Sequence, residues 1–254
     1  MRPRALVLPL LFLASSAGAD IPLAERRSGY DEMSRETRAM QDDDATNPAT
    51  LWVLDGAILW EGRAGADGKA CADCHGDAAG RMKGVAVRYP RIFEDRLVNL
   101  EQRINLCRTT QQKAPAFAYE SRELLALSAY IGRQSRGLPI EAATGQGAKP
   151  FLESGRAAYY RRQGQLNLAC AQCHDERHGG KLAGTPIPQG QATGYPIYRL
   201  EWQGLGSLQR RLRNCMIGVR AEPYAYGSPE LVELELYLMW RARGMKLETP
   251  AVRP

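Results

Sequence analysis

Apolar residues recur at helical intervals in stretches that match each other in pairs. Leu124, Leu127 and Ile131 are spaced three and four residues apart, and so are Leu231, Leu234 and Leu238. That spacing lays one apolar stripe along a helix. Ser228-Pro229-Glu230 marks the start of the second helix: a Ser N-cap, Pro at the first position and an acidic residue in the first turn. A second pair runs Leu97, Leu100, Ile104, Cys107 and Leu205, Leu208, Leu212, Cys215, each at intervals of three, four and three. This predicts two equivalent helices, each carrying a cysteine on its inward, apolar face. Gly56 to Trp60 and Gly155 to Tyr159 stand at matched offsets upstream and predict a leading helix in each copy. Period-two alternation is weak throughout, so the chain reads as mainly α.

The echoes extend along the chain. Tyr89-Pro90-Arg91-Ile92 matches the stretch that begins Tyr195-Pro196, and Ala118-Tyr119-Glu120-Ser121 matches Ala225-Tyr226-Gly227-Ser228. Gly137-Leu138-Pro139-Ile140-Glu141 matches Gly244-Met245-Lys246-Leu247-Glu248. An internal duplication follows, with domains expected at 50–143 and 151–254 and a turn-rich linker at 144–150. Residues 20–49 are polar and charged and are expected to form an arm on the surface or on a partner. Residues 1–19 read as a signal peptide. Arg2 and Arg4 precede a short apolar core, and Ala17-Gly18-Ala19 offers a small-x-small cleavage site before Asp20. Export to the periplasm is the expectation, in a compartment where thiols oxidise readily.

Composition narrows the classes. The chain has 254 residues, 44% of them hydrophobic and 24% charged, which is ordinary globular content. No interior apolar run approaches the ~18–20 residues of a spanning helix, so no membrane span is expected. The formal charge is +6 with both signs mixed along the chain, which argues against a nucleic-acid partner. It still favours anionic ligands or an acidic partner.

The chemistry lies in six cysteines and three histidines. Cys71-Ala72-Asp73-Cys74-His75 and Cys170-Ala171-Gln172-Cys173-His174 both fit C-x-x-C-H, the attachment signature of c-type haem. Two thiols add to the two haem vinyl groups, and the following His becomes the proximal iron ligand. Two such motifs predict two covalently bound haem c groups, held by Cys71, Cys74, Cys170 and Cys173, with His75 and His174 on the irons. A zinc site would need more His or Cys nearby. Distal ligands are scarce: Met82 and Met216 have no counterparts in the other copy, and His178 is the only spare His. Cys107 and Cys215 are equivalent to each other and become the candidates. A buried thiol or a Cys107–Cys215 disulfide is the alternative, against which each Cys should face its own haem. Arg103 and Arg211 stand one turn before Cys107 and Cys215. Arg103 is expected to pair with a haem propionate. An Arg fork can also hold an oxyanion bidentately. Arg210, Arg213, Arg220, Lys181 and His178 add basic density near Cys215, and a solvated surface is the simpler reading for them.

From Arg211-Leu212-Arg213-Asn214-Cys215-Met216 through Arg220-Ala221-Glu222-Pro223-Tyr224-Ala225-Tyr226-Gly227-Ser228-Pro229-Glu230 the chain resembles the SoxA family of the bacterial sulfur-oxidising system. The likeness covers almost all of the chain beyond residue 19. It implies two tandem class I cytochrome c-like domains, an N-terminal arm, and haems with His75 and Cys107, and His174 and Cys215, as axial pairs. It implies a small monohaem partner, SoxX, and an L-cysteine S-thiosulfotransferase activity that joins thiosulfate to a cysteine of the carrier SoxYZ. Cys215 would be the active-site cysteine persulfide and Arg211 the substrate-binding residue. A thiosulfate dehydrogenase forming tetrathionate, or a non-catalytic dihaem electron carrier, are the other readings.

Overall fold

The computed structural model describes residues 21–182 and 184–254. The expected signal peptide lies outside them. A short helix, α1 (Arg35–Asp42), belongs to the leading segment. The first copy then runs α2 (Thr50–Glu61), α3 (Cys71–His75), α4 (Ala78–Arg81), β1 (Arg91–Phe93), β2 (Arg96–Val98), α5 (Leu100–Cys107) and α6 (Arg122–Arg133). The second runs α7 (Lys149–Tyr160), α8 (Cys170–His174), β3 (Lys181–Leu182), β4 (Thr185–Pro186), β5 (Ile197–Arg199), β6 (Gly204–Gly206), α9 (Leu208–Gly218), α10 (Pro229–Arg241) and β7 (Ala251–Arg253). Two tandem helical domains therefore share a leading helix, a motif helix, a hairpin, a cysteine helix and a last helix, while α4 is replaced by the β3–β4 hairpin in the second, which also adds β7. No described helix is long and apolar enough to cross a membrane.

Each copy is built on a crossing of its first and last long helices, α2 on α6 and α7 on α10. A glycine makes each crossing possible. A Cβ on Gly56 would stand 2.2 Å from the Ala126 carbonyl oxygen, and one on Gly155 would stand 2.0 Å from that of Glu233. One turn later Trp60 and Tyr159 fill the space beneath, 2% and 1% exposed. Leu124, Leu127 and Ile131 pack with Trp60, and Leu231, Leu234 and Leu238 with Tyr159. The Ser121 and Ser228 hydroxyls cap the last helices, accepting from the Leu124 and Leu231 amides at 3.3 and 3.4 Å.

The cysteine-bearing helices start later than their apolar spacing predicts. Leu97 and Leu205 lie on β2 and β6, and the helices begin at Leu100 and Leu208. The caps decide this. The Asn99 side chain accepts from the Gln102 amide at 2.9 Å, and Ser207 accepts from the Arg210 amide at 3.1 Å. Strands of two or three residues are too short to leave an alternation in the sequence. β1 pairs antiparallel with β2, and β5 pairs antiparallel with β6. β7 joins β5 in parallel, with Ala251 and Val252 fully buried.

The leading segment packs on the second copy. The Gln41 side chain accepts from the Val252 amide at 3.1 Å, and Asn47 donates to the Pro250 carbonyl at 3.2 Å. The two copies meet through a polar junction. Tyr119 stacks on Tyr226 with ring centroids 5.8 Å apart, and Asn99 donates to Glu235 at 3.0 Å. Gln102 donates to the Gly227 carbonyl at 3.0 Å.

Candidate functional site

Two clefts, one in each copy, collect the residues that the motifs single out. In the first copy the Ala70 amide donates to Asp73 at 2.9 Å and starts the short helix α3. One turn of that helix separates Cys71 from Cys74, and His75 follows. All three line a cleft of about 1250 Å3, open mouth included, together with Cys107 from α5. Trp60, Leu127 and Ile131 give it an apolar wall. Burial, then the nearby Cys107, pushes the Cys71 thiol above its ordinary value.

The second cleft repeats this plan with about 1200 Å3. The Ala169 amide donates to Gln172 at 2.9 Å and starts α8. Cys170 and His174 line the cleft, and Cys173 sits half-buried on the same helix. Cys215 and, one turn before it, Arg211 reach the cleft from α9. Burial, then Cys215, pushes the Cys170 thiol up to about 12. His174 Nδ1 lies 2.7 Å from the Pro188 carbonyl oxygen. Nδ1–H donates to this carbonyl and leaves the Nε2 lone pair free to bind a metal, the usual support for a metal-bound imidazole. Burial holds His174 below the ordinary histidine range, so the ring is neutral. Next to it, Asp175 accepts from Tyr159 at 2.8 Å and from the buried Arg241 at 2.7 Å. Arg241 also donates to the Gln189 carbonyl at 3.3 Å.

These donors fit a covalently held haem. The first cleft offers two thiols one helical turn apart, an imidazole on the same turn and a further thiol on a separate helix; the second offers Cys170, His174 and Cys215, with Cys173 one turn along α8 from Cys170. Among the described residues no three His, Cys, Asp or Glu side chains gather as a cage for a bare ion. All six cysteines are free thiols, and Cys107 and Cys215 line different clefts. Met82 also lines the first cleft, seven residues after His75, whereas Met216 is packed in the core of the second copy.

The basic cluster near Cys215 separates into individual tasks. Arg210 stacks on Trp202 at 4.4 Å and pairs with Glu120 at 3.9 Å. Arg213 holds the Tyr224 carbonyl and stacks on Tyr226 at 4.5 Å. Arg220, His178 and Lys181 are exposed and do not line the cleft. Arg211 does line it. Among the lining residues not anticipated are Arg199 on β5, Arg253 on β7, and Glu32 and Met33 from the leading segment. Arg199 had a signal in the repeat, since it stands four residues after Tyr195 as Phe93 stands four after Tyr89. Nothing local in the sequence places Glu32 and Met33 there.

The SoxA/TsdA cytochrome c domain model matches residues 55–140 and 154–247. The chain is 40% identical over 235 residues to the L-cysteine S-thiosulfotransferase subunit SoxA of Pseudaminobacter salicylatoxidans, covering 91% of this chain and 82% of that one. To the protein of the same name from Rhodovulum sulfidophilum it is 38% identical, covering 90% and 80%. The fold matches the crystal structure of SoxXA from P. pantotrophus with a TM-score of 0.87 and 32% identity, over 90% of this chain and 87% of that one. A cytochrome c domain carries covalently bound haem c, the group that both clefts fit. On sequence, fold and donor set together, the chain belongs to the SoxA family of cytochromes c.

Proposed function

We propose that this chain is the dihaem, catalytic subunit of an L-cysteine S-thiosulfotransferase. It joins thiosulfate oxidatively to a cysteine of a carrier protein of the SoxYZ kind. The observation that carries this reading is the second cleft, where Cys215 and Arg211 share one cavity with the Cys170–His174 motif. A carrier thiol and thiosulfate become a cysteine S-thiosulfonate with release of one proton and two electrons. The bound haem supplies one-electron acceptance. Two intact motifs support two haems, held by Cys71 and Cys74 and by Cys170 and Cys173. His75 with Cys107, and His174 with Cys215, are the axial pairs of this reading.

The chain's own groups do the rest. Arg211 offers a planar fork to the sulfonate of thiosulfate, and among the described residues no hydrogen bond or ion pair occupies it. Cys215, as a persulfide, would join thiosulfate through a new S–S bond with loss of two electrons, and the carrier thiol would then take the S–SO3 group by thiol–disulfide exchange and return the Cys215 persulfide. The Pro188 carbonyl and the Asp175–Arg241–Tyr159 network fix the proximal wall. The solved relative is a SoxXA complex, which supports a small monohaem cytochrome, SoxX, as partner here. The leader at residues 1–19 supports export to the periplasm.

The test is haem reduction by thiosulfate with and without a protein thiol carrier. This reading expects fast reduction with the carrier and a carrier-bound thiosulfonate as product. Equal reduction without a carrier, with tetrathionate formed, would make the protein a thiosulfate dehydrogenase. No thiosulfate-dependent reduction in either case would leave an electron carrier.

A further inference from the structure

The two clefts share a haem motif, a distal cysteine and an arginine one turn before it, and they differ on one wall. β1 ends on Phe93 and β5 ends on Arg199. The hairpins are in the same register relative to the helices that follow. Phe93 pairs with Arg96, three residues before the Asn99 cap of α5, and Arg199 pairs with Gly204, three before the Ser207 cap of α9. Phe93 and Arg199 are therefore one position of the repeat, and both line their clefts.

That position decides what the neighbouring arginine can do. In the first cleft the Arg103 guanidinium lies on the Phe93 ring, 4.0 Å from its centroid. In the second, Arg199 and Arg211 line the same cavity as Cys215. The hairpin connection has changed with it. Only residues 94–95 join β1 to β2, whereas residues 200–203 join β5 to β6 and include a 3-10 turn, Leu200–Trp202. The longer turn sets Glu201 Oε1 2.9 Å from Arg199 Nε and the Trp202 ring 5.3 Å from its guanidinium. Arg199 Nε is thus close to Glu201 without an aligned hydrogen bond, and its side chain is 13% exposed. Among the described residues no hydrogen bond takes up the terminal nitrogens of Arg199 or of Arg211. Burial and the Arg211 charge both push the Arg199 guanidinium below its ordinary value. The third guanidinium on this wall, Arg253, is already engaged by Glu248 and Gln41. Arg199 has the exposed Glu201 as its counter-charge and Arg211 has no ion pair among the described residues, so the two like charges in one part-buried cavity still repel each other, and an oxyanion between them removes that cost.

We propose that Arg199 and Arg211 together form the anion clamp of the second cleft, gripping the sulfonate of thiosulfate and turning its terminal sulfur toward Cys215. This rests on the second cleft being the site of thiosulfate chemistry. The other oxyanion within reach is a carboxylate of the haem itself. A haem carboxylate would be present in both clefts, and the first cleft has a phenyl ring at this position. In the first copy Arg88, Arg91, Arg103 and Arg108 also line the cleft, but Phe93 takes the position of Arg199 and covers Arg103, so the pairing of these two repeat positions into a clamp belongs to the second cleft and leaves the first for electron transfer.

The test uses the full chain in complex with its small cytochrome partner, haem-loaded. Arg199→Phe installs the residue of the first copy; Arg199→Gln repeats the test with a polar side chain should the Phe variant load haem poorly; Arg199→Lys restores charge without the fork. The readouts are KM and kcat for thiosulfate with a carrier thiol, and the reduction potential of the second haem. Loss of a charge-assisted contact to the anion raises the thiosulfate KM about tenfold or more, with a smaller change in kcat. The potential stays in place, and Arg199→Lys recovers part of the loss. An unchanged KM in Arg199→Phe and Arg199→Gln while Arg211→Ala is impaired overturns the clamp and leaves the cleft's role standing. A shifted potential with an unchanged KM also overturns it and assigns Arg199 to a haem carboxylate. Normal thiosulfate use in the Arg199 and Arg211 variants alike overturns the reading of the cleft itself.

Discussion

Cys107 and Cys215 end equivalent stretches of helix, yet the arginine one turn before each meets a different environment. Arg103 is covered by the Phe93 ring, and Arg211 is left facing the cleft. Replacing Arg211 by Ala is expected to remove one charge-assisted contact, typically ~1.5–3 kcal/mol. That is a loss of roughly 10- to 150-fold in turnover of thiosulfate, read by steady-state kinetics with the haem spectrum little changed. Arg211→Lys should recover part of it, since the charge remains and the fork is lost. A second residue-level prediction concerns Asp175. Its carboxylate neutralises Arg241, whose side chain is 8% exposed. Asp175→Ala strands that cation beside Tyr159 and should cost about 3 kcal/mol, read as a lower midpoint in denaturant unfolding of the haem-loaded protein. An unchanged midpoint would show that the Gln189 carbonyl alone suffices. The placement of the motif cysteines and histidines and of Arg211 was legible because spacings of three and four residues set which side of a helix a residue takes. The Asp175–Arg241 pair was not, because its partners are 66 residues apart and neither has a local pattern.

At the scale of elements, the glycine-to-aromatic offset was readable in both copies because it recurs, and its physical reason is the helix crossing. Gly155→Ala puts a methyl group 2.0 Å from a backbone oxygen of α10, which cannot swing aside as a side chain would. The helices must part, and overpacking of this kind costs about 1–3 kcal/mol or more. A clear drop in the thermal unfolding midpoint is expected, and an unchanged midpoint would mean that α7 and α10 do not meet there. The short strands escaped the sequence reading for a physical reason as well. Three residues give no alternation to detect, and β7 is held by Gln41 and by parallel pairing with β5, which lie far from it in sequence. Caps on Asn99 and Ser207 likewise override the apolar spacing that would have run each cysteine helix back to Leu97 and Leu205.

Across the whole molecule, the duplication is altered where the copies meet. Glu101 of α5 and Glu235 of α10 are both carboxyls of this junction, and burial is the first cause that raises each. Glu101 is pushed up to about 7 by burial and by the charge of Glu120, and Glu101 in turn raises Glu235. The folded protein therefore holds a proton that the unfolded chain releases near 4.5, the ordinary value. Stability from this junction is present below about pH 4.5 and is lost as pH rises through about 7. Glu101→Gln places there the residue that the second copy has at the equivalent position, Gln209. The variant should show a flatter fall in stability across that window, measured by denaturant unfolding at several pH values. An unaltered slope would mean that Glu101 does not hold the extra proton. The duplication itself was legible from the sequence, but this junction was not. It joins residues 134 positions apart, and each differs from its counterpart in the other copy.

The account depends above all on Cys215. The most direct measurement is conjugation of thiosulfate to a carrier-protein thiol by the haem-loaded complex, wild type against Cys215→Met, followed by the mass of the carrier. The account predicts a thiosulfonate adduct with the wild type and none with Cys215→Met, while haem stays attached through Cys170 and Cys173. Wild-type adduct formation by Cys215→Met would contradict it and leave Cys215 as no more than a ligand.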